Sequence, residues 1–369
     1  MLYSKEKRKI IFLGKLPPPY IGPAIAAKIL LNSRLKDLYN LIHLDTSDHR
    51  SINTLGKVDV INFLIAFKLY WKLISLILRF RPEAIYIPSQ QTTLGYLRDV
   101  PLILIARCRN CKVICHLRGG YFGNWYKEVN PIMKLVIEYV QKKIDAQIVL
   151  GQNLVPMFSN LMSEKKIYVV PNGGDYHFPD RARINNKVCV LFLANFKKSK
   201  GFIDFIKAAE YFNGTNNVEF ICAGSWSENK TELEARDLLT LVPNVKIHGL
   251  VKDDEKLKLL VNSDIFVFPT YYRNEGHPWV IIEAMAAGLP IISTNHAAIP
   301  ETVSDGINGF LVAKQNPQAI ADKIKFLTEN HEIRIAMGKE SRRLYEEKFT
   351  EGKMVDNLKR VFETVLNQP

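Results

Sequence analysis

Cysteine is scarce and its count is odd, five in 369 residues, which makes a disulfide framework a poor reading of the chain. Cys108, Cys111 and Cys115 lie close together, but no second C-x2-C or Cys/His pair completes a four-ligand metal site. Cys115 falls inside the apolar run KVICHL, where a cysteine is ordinarily a small buried hydrophobe. The G-x-G-x-x-G fingerprint is missing, which disfavours a dinucleotide dehydrogenase. Internal repeats, low-complexity tracts and long linkers are missing too. In the apolar segment 59 to 80 the basic residues leave no uninterrupted apolar stretch near 18 residues, so it is not expected to be an ordinary membrane span. No cleavable apolar region follows Lys5, Lys7, Arg8 and Lys9, and the expected compartment is the cytoplasm.

Charge, by contrast, is plentiful and uneven. The net charge is +13. Residues 1 to 180 carry 25 Lys and Arg against 13 Asp and Glu, a balance of +12, and the remainder carry 25 against 24, or +1. The basic surface therefore belongs to the amino-terminal half. Without a zinc-finger spacing or an aromatic-interleaved basic strand, nucleic acid is not the expected partner. An anionic membrane surface or a lipid diphosphate suits the charge, each surface Lys or Arg being worth about 1 kcal/mol near acidic lipid. The segment 59 to 80 predicts an apolar helix with Lys68, Lys72, Ser75 and Arg79 on one face. Two readings stay open: a sheet-covering helix with a basic outer stripe, or a helix lying on a membrane surface.

Apolar runs alternate with helical segments throughout: KIIFLG (9 to 14), AIYIPS (84 to 89), KVICHL (112 to 117) and AQIVLG, then again from Val188 with VCVLFL, VEFICA, VKIH, DIFVF and LPIIST. This βαβα rhythm predicts two α/β domains with parallel sheets. PNGGDYHF has the composition of a hinge and PDRARINN that of a linker. Residues 317 to 348 and 350 to 366 predict helices, the last with Met354, Leu358, Val361 and Val365 on one stripe.

The stretch Tyr271 to Val312 is the most informative. DIFVFPT predicts a buried strand ended by Pro269; a loop holds Glu275; Pro278 predicts a first helical position, and WVIIEAMAAG a short helix stopped by Gly288 and Pro290. Glu275 then lies in the loop at the strand's carboxyl end and Glu283 about one turn into the helix. Ligands of open parallel sheets bind at the carboxyl ends of the strands, so both acids are expected to face one cleft. A carboxylate accepts charge-assisted hydrogen bonds from two neighbouring hydroxyls, and sugars and riboses are vicinal diols. The helix amino terminus beside them suits a phosphate. Two diol readers flanking an anion site suggest a sugar nucleotide.

This stretch resembles the signature of the large retaining glycosyltransferase family 4, E-x-F/H-G/P-x4-EAMAxGxPVVxT followed by PE and DGxNGxLV. Here the strings are EGHPWVIIEAMAAGLPIIST, IPE and DGINGFLV, in that order. The resemblance is strong from 186 to 315 and looser before. It implies an α/β fold of two Rossmann-like domains facing across a cleft (GT-B): 1-175 as the acceptor domain, 186-348 as the nucleotide-sugar domain and 349-369 as a helix packing back on the first. Glu275 would contact the donor sugar and Glu283 the ribose, with Gly276, His277, Pro278 and Trp279 beside them. Lys200 with Gly201 matches the family's Lys-Gly at the diphosphate. Asn195 stands where the family most often has Arg, and an Asn offers only neutral bonds; Lys197 or Lys198 is the expected substitute. Where the family has a Gly pair before PE, this chain has Ala297, Ala298 and Ile299. His116, with Arg118, ends a strand like the family's His-containing turn facing the sugar, and KLPPPYIGP with Gly22 resembles the first loop near the diphosphate.

The implied activity is a retaining transfer from a UDP- or GDP-linked sugar to a hydroxyl acceptor, a lipid-linked saccharide in bacterial surface polysaccharide assembly (capsule, exopolysaccharide or lipopolysaccharide). It would take place in the cytoplasm or at the inner face of the plasma membrane, with Glu275, His116 and Lys200 as catalytic residues. D-x-D, used by metal-dependent glycosyltransferases, occurs nowhere, which favours chemistry without metal or cofactor. The alternatives are a non-catalytic sugar-nucleotide-binding module and a sugar-nucleotide epimerase on the same fold.

Overall fold

The computed structural model describes residues 6–18, 21–47, 60–180 and 187–368. Pro19, Asp59 and most of PDRARINN lie outside the described residues. The chain divides into two compact units, Met1–Asn172 with Glu351–Pro369, and Gly173–Thr350. The division falls inside PNGGDYHF.

In the first unit β1 (Lys9–Gly14) leads to α1 (Gly22–Asn32), the short α2 (Leu35–Leu38) and β2 (Asn40–Asp45). Then follow α3 (Val60–Phe80), β3 (Ala84–Ser89), α4 (Thr93–Cys108), β4 (Lys112–Leu117), α5 (Phe122–Glu128), α6 (Pro131–Gln141), β5 (Ala146–Val149) and β6 (Ile167–Val169). The strands are parallel in the order β2-β1-β3-β4-β5-β6. Their continuous apolar runs reflect burial on both faces, as parallel sheets require: Ile10, Ile11, Ile85, Val113, Ile114 and Ile148 are all inaccessible to solvent.

The second unit begins with β7 (Val188–Leu193), α7 (Phe202–Glu210), β8 (Val218–Ala223), α8 (Asn229–Leu239) and β9 (Val245–His248). It continues with α9 (Asp253–Val261), β10 (Ile265–Phe268), α10 (Trp279–Ala286), β11 (Ile291–Thr294), β12 (Gly309–Val312), α11 (Pro317–Glu329) and α12 (His331–Lys348). Its parallel sheet runs β12-β11-β10-β7-β8-β9, the doubly wound order whose direction reverses between β7 and β10. The helix expected over 317 to 348 is two helices, because Asn330 leaves helical geometry (φ −113°, ψ 76°) and turns its amide onto the Phe326 carbonyl at 2.8 Å. α13 (Glu351–Leu366) then returns to the first unit and buries Met354, Leu358, Val361 and Val365 together with Val355 and Phe362. Phe362 meets the rings of Tyr39 and Tyr86 edge-on, at 5.4 and 6.3 Å. Among the described residues no helix is long and apolar enough to cross a membrane.

Candidate functional site

The reversal point between β7 and β10 is where a doubly wound sheet opens a crevice, and the two loops that leave it carry Lys200 and Glu275. Behind β7 the chain makes a turn of 3-10 helix, Lys198–Lys200, and enters α7 through Gly201 at φ 81°. A side chain on Gly201 would stand 2.5 Å from the Pro269 carbonyl oxygen, so only glycine lets the Lys200 loop lie on the loop after β10. Tyr271 N–H donates to the Ser199 carbonyl across the same junction, at 2.8 Å. The result is an ion pair between Lys200 Nζ and Glu275 Oε2, both side chains largely shielded from water. Thr270 Oγ1, fully buried, lies 3.3 Å from the same carboxylate oxygen. Lys200 also rides over the Tyr272 ring at 4.7 Å, a contact that favours the cation.

Glu283 occupies a different niche. Pro278 proves to be the N-cap of α10, at φ −67° and ψ 123°, so its extended ψ starts the helix one residue later than expected, at Trp279. Gly288, at φ 73°, ends it, and Arg342 Nη1 donates to the Ala286 carbonyl at 2.5 Å. Glu283 is 5% exposed, and its Oε1 accepts from Lys256 Nζ of α9 at 2.5 Å, while Oε2 is buried without a hydrogen-bond partner among the described residues. Burial raises the carboxyl's pKa above the ordinary range, with Lys256 opposing the rise. The two acids are thus held by different lysines on different elements. Lys256 escaped the sequence reading, in which KDDEKLKLL stood out for the acids that form the first turn of α9.

The remaining candidates divide by unit. His277 is 4% exposed, with Nε2 2.8 Å from Thr302 Oγ1 and its ring 5.2 Å from that of Phe349. Thr302 gives its own proton to the Ala298 carbonyl, 3.2 Å away, so Nε2 is the donor in this pair. Burial lowers the ring's pKa from 6.5 to about 3. A depressed folded-state value contributes stability that is complete above 6.5 and is lost as the pH falls toward 3. Unfolding free energy is therefore expected to drop by up to about 5 kcal/mol over that window on this account alone; urea titrations of wild type and His277→Asn from neutral to acid pH would test it, and equal slopes would refute it.

Gly276 accepts from Ala298 N–H at 3.0 Å, tying the Glu275 loop to the loop after β11. In that second loop Ala297 adopts φ 51°. The departure from a Gly pair has thus changed the residue while the left-handed backbone remains, at a cost of roughly 1 kcal/mol. His296, which the sequence reading passed over, bridges Lys314 Nζ (3.0 Å) and the Tyr272 carbonyl (2.8 Å), and so props the same loop. Asn195 Oδ1 accepts from Ser225 Oγ at 3.0 Å. Of its two candidate substitutes, Lys198 pairs with Glu234 at 2.9 Å, whereas Lys197 stands over the Tyr272 ring at 5.0 Å, the ring that Lys200 also uses. Lys197 additionally pairs with Glu228 at 3.2 Å.

In the first unit Gly22 is the first residue of α1. His116 ends β4 as expected but is fully buried: Nδ1 lies 2.8 Å from the Tyr86 hydroxyl, and Nε2 has no hydrogen-bond partner among the described residues. Tyr86 accepts from Arg118 Nη2 at 3.0 Å, so its proton goes to Nδ1 and the neutral ring carries hydrogen on Nε2. Arg118 Nη1 donates to Asn172 Oδ1 at 2.8 Å. Cys111 and Cys115 are buried and Cys108 is exposed.

Residues 177–344 match the family model described as glycosyl transferases group 1. This stretch is similar to the group 1 glycosyltransferases. It contains Lys200, Glu275, Lys256 and Glu283. A capsular polysaccharide biosynthesis glycosyltransferase of Staphylococcus aureus, CapM, is 28% identical over 186 residues, covering 50% of this chain and 48% of that one. An N,N'-diacetylbacillosaminyl-diphospho-undecaprenol alpha-1,3-N-acetylgalactosaminyltransferase of Campylobacter jejuni is 28% identical over 156 residues, 42% of this chain and 39% of that one. The chain thus matches about half the length of CapM, or less for the second relative. The crystal structure of Anabaena HepE in complex with UDP-glucose superimposes with a TM-score of 0.75 at 16% identity, covering 96% of this chain and 99% of that one. The matched stretch and the α/β unit before it have the GT-B fold, two Rossmann-like units in one chain.

Proposed function

We propose that the protein is a retaining, metal-independent glycosyltransferase that moves a hexosyl or N-acetylhexosaminyl group from a UDP- or GDP-linked sugar to a hydroxyl of a lipid-linked saccharide in surface polysaccharide assembly. The carrying observation is the Lys200–Glu275 pair at the reversal point of the second sheet, with Glu283 on the helix that follows. In the reaction the anomeric carbon exchanges its bond to the diphosphate oxygen for one to the acceptor oxygen; the nucleoside diphosphate departs with the bonding pair, and the acceptor hydroxyl's proton passes to the departing phosphate oxygen. Charge grows on the departing diphosphate, and a prepositioned cation is the group that stabilises it. Lys200 fills that role by exchanging Glu275 for phosphate, with Lys197 beside it in place of the guanidinium that Asn195 cannot supply. Glu275, released, accepts from the sugar hydroxyls; Glu283 accepts from the ribose diol with Oε2. His116 Nε2–H, a buried donor without a partner among the described residues, is assigned to a sugar oxygen. The first unit's acceptor is lipid-linked, and its basic charge suits an anionic membrane. What supports this reading is the family of the second unit, a relative named for a diphospho-undecaprenol substrate and a neighbour in fold that holds UDP-glucose.

Thermal unfolding with UDP and with GDP tests the donor. One nucleotide at roughly a hundred times its dissociation constant is expected to stabilise wild type by about 2.7 kcal/mol, and Glu283→Ala to lose the shift. No shift with either nucleotide, or an undiminished shift in the variant, would overturn the ribose assignment. A product whose anomeric configuration is opposite to the donor's, seen by NMR, would remove retention. The exposed, neutral Asn195 favours one second reading, a module that binds donor and never releases nucleoside diphosphate.

A further inference from the structure

α3, α4 and α6 each carry the chain in the same direction across the first sheet, from β2 to β3, β3 to β4 and β4 to β5. Right-handed crossovers therefore lay all three on one face. They are tied side by side: Tyr70 of α3 donates to the Arg98 carbonyl of α4 at 3.0 Å, and Gln141 of α6 to the Tyr96 hydroxyl of α4 at 3.3 Å. Leu69, Leu73 and Ile77 of α3 turn inward, as do Met133, Ile137 and Val140 of α6. The opposite stripe of a sheet-covering helix is ordinarily polar. In the second unit it is: α12 exposes Arg343, Glu346, Glu347 and Lys348.

The outer stripe of the first-unit helices breaks that rule. On α3, Phe67 is 52% exposed and Trp71 60%; on α6, Ile132 is 75% and Leu135 66%. Leu94 and Leu97 of α4 and Tyr139 of α6 are exposed as well. Between α3 and α4 runs an apolar groove of about 380 Å³ lined by Ile74, Ile77, Leu104 and Ile105. Isolated exposed apolar residues need no account, whereas a run of them across three adjacent helices marks a contact surface.

The charges on this face identify the contact. Lys68 and Lys72 are exposed beside Phe67 and Trp71, and α3 contains no acidic residue. Asp99 of α4 is buried against Arg98, and Glu138 of α6 accepts from the Tyr126 hydroxyl at 2.6 Å. A second copy of this face would set lysines against lysines, which opposes self-association. Aromatic and aliphatic side chains interleaved with cations are what the headgroup region of an acidic bilayer takes up.

We propose that the outer face of α3, α4 and α6 docks on an anionic phospholipid bilayer, with Phe67, Trp71, Leu135 and Tyr139 entering the headgroup layer and Lys68 and Lys72 meeting lipid phosphates. This rests on the membrane reading above and gives it a place and a second, apolar component. Such binding has a part that salt does not remove, unlike attraction by net charge alone.

The test is flotation of the full chain with vesicles of phosphatidylcholine alone and of phosphatidylcholine with phosphatidylglycerol, at low and high salt. Wild type is expected to float with the acidic vesicles. The double variant Trp71→Ser/Leu135→Ser should lose at least about tenfold in partitioning at both salt concentrations, and Lys68→Gln and Lys72→Gln about fivefold each at low salt. All four side chains are exposed, so unchanged thermal unfolding and an unchanged nucleotide shift would show that fold and donor site are intact. If the apolar variant floats like wild type while salt abolishes binding, the bilayer contact is general charge attraction and this docking face is refuted. If wild type floats with neither vesicle, the membrane reading falls with it. A dimer that the apolar variant turns into a monomer would refute lipid as the occupant.

Discussion

Lys200→Ala is expected to lower turnover by about a hundred- to a thousandfold, with the larger part of the loss in kcat. On the proposed reaction the side chain would meet a charge that develops as the donor bond breaks: it stands at the reversal point of the second sheet, backed by the Tyr272 ring and held by Glu275. An interaction of that kind is stronger in the transition state than in the ground state, so its removal shows in kcat as well as in kcat/KM. Lys200→Arg, which keeps the charge on a longer fork, should retain part of the activity. The readout is release of nucleoside diphosphate from whichever nucleotide sugar stabilises the wild type. Turnover in Lys200→Ala within a factor of a few of wild type would remove Lys200 from the chemistry.

Lys256→Ala carries the largest expected effect on stability. Truncating one partner of a buried pair leaves the other charge without compensation, at a cost of about 3–5 kcal/mol. Among the described residues the second oxygen of Glu283 has no partner, and burial already raises the pKa of its carboxyl, so it has little reserve. The folded-state pKa lies above the unfolded one, and such an acid stabilises the fold most below its unfolded value and least above its folded one. The deficit of Lys256→Ala should therefore be full at neutral pH and shrink as acid protonates Glu283. The double variant Lys256→Ala/Glu283→Gln should recover most of it. Chemical denaturation of wild type and the two variants at two pH values decides; equal stability of wild type and Lys256→Ala at neutral pH would count against the pair.

The elements around Glu275 and Glu283 were legible because their punctuation is local. Pro269, Pro278, Gly288 and Pro290 bound the strand, the loop and the helix, and the structure moves only one boundary, by one residue at Pro278. The α/β class followed likewise from the period of the apolar runs. What the sequence hid was mutual. Lys256 reaches Glu283 across 27 positions, and nothing in KDDEKLKLL points at a residue on another helix. His116 was readable as the end of a strand, but its cover by Tyr86 depends on how neighbouring strands pack. The basic stripe of α3 could be counted along a helical face. That Phe67 and Trp71 share the solvent side with Lys68 and Lys72 depends on which face the sheet claims, and periodicity leaves this open when both faces are apolar.

One further consequence follows from the glycines at the start of the second unit. Gly174 N–H donates to the Phe349 carbonyl at 3.1 Å, and Tyr345 returns a bond from its hydroxyl to the Gly174 carbonyl at 2.8 Å. A side chain on Gly173 would collide with the Thr350 carbonyl. The two ends of Gly173–Thr350 are therefore laced together, and the segment leaves and rejoins the chain at a single spot. A segment with neighbouring ends is a cassette: it can be exchanged between chains as one piece without rethreading its host. Its own edges then need no redesign, and whatever its site binds can be inherited while the host changes.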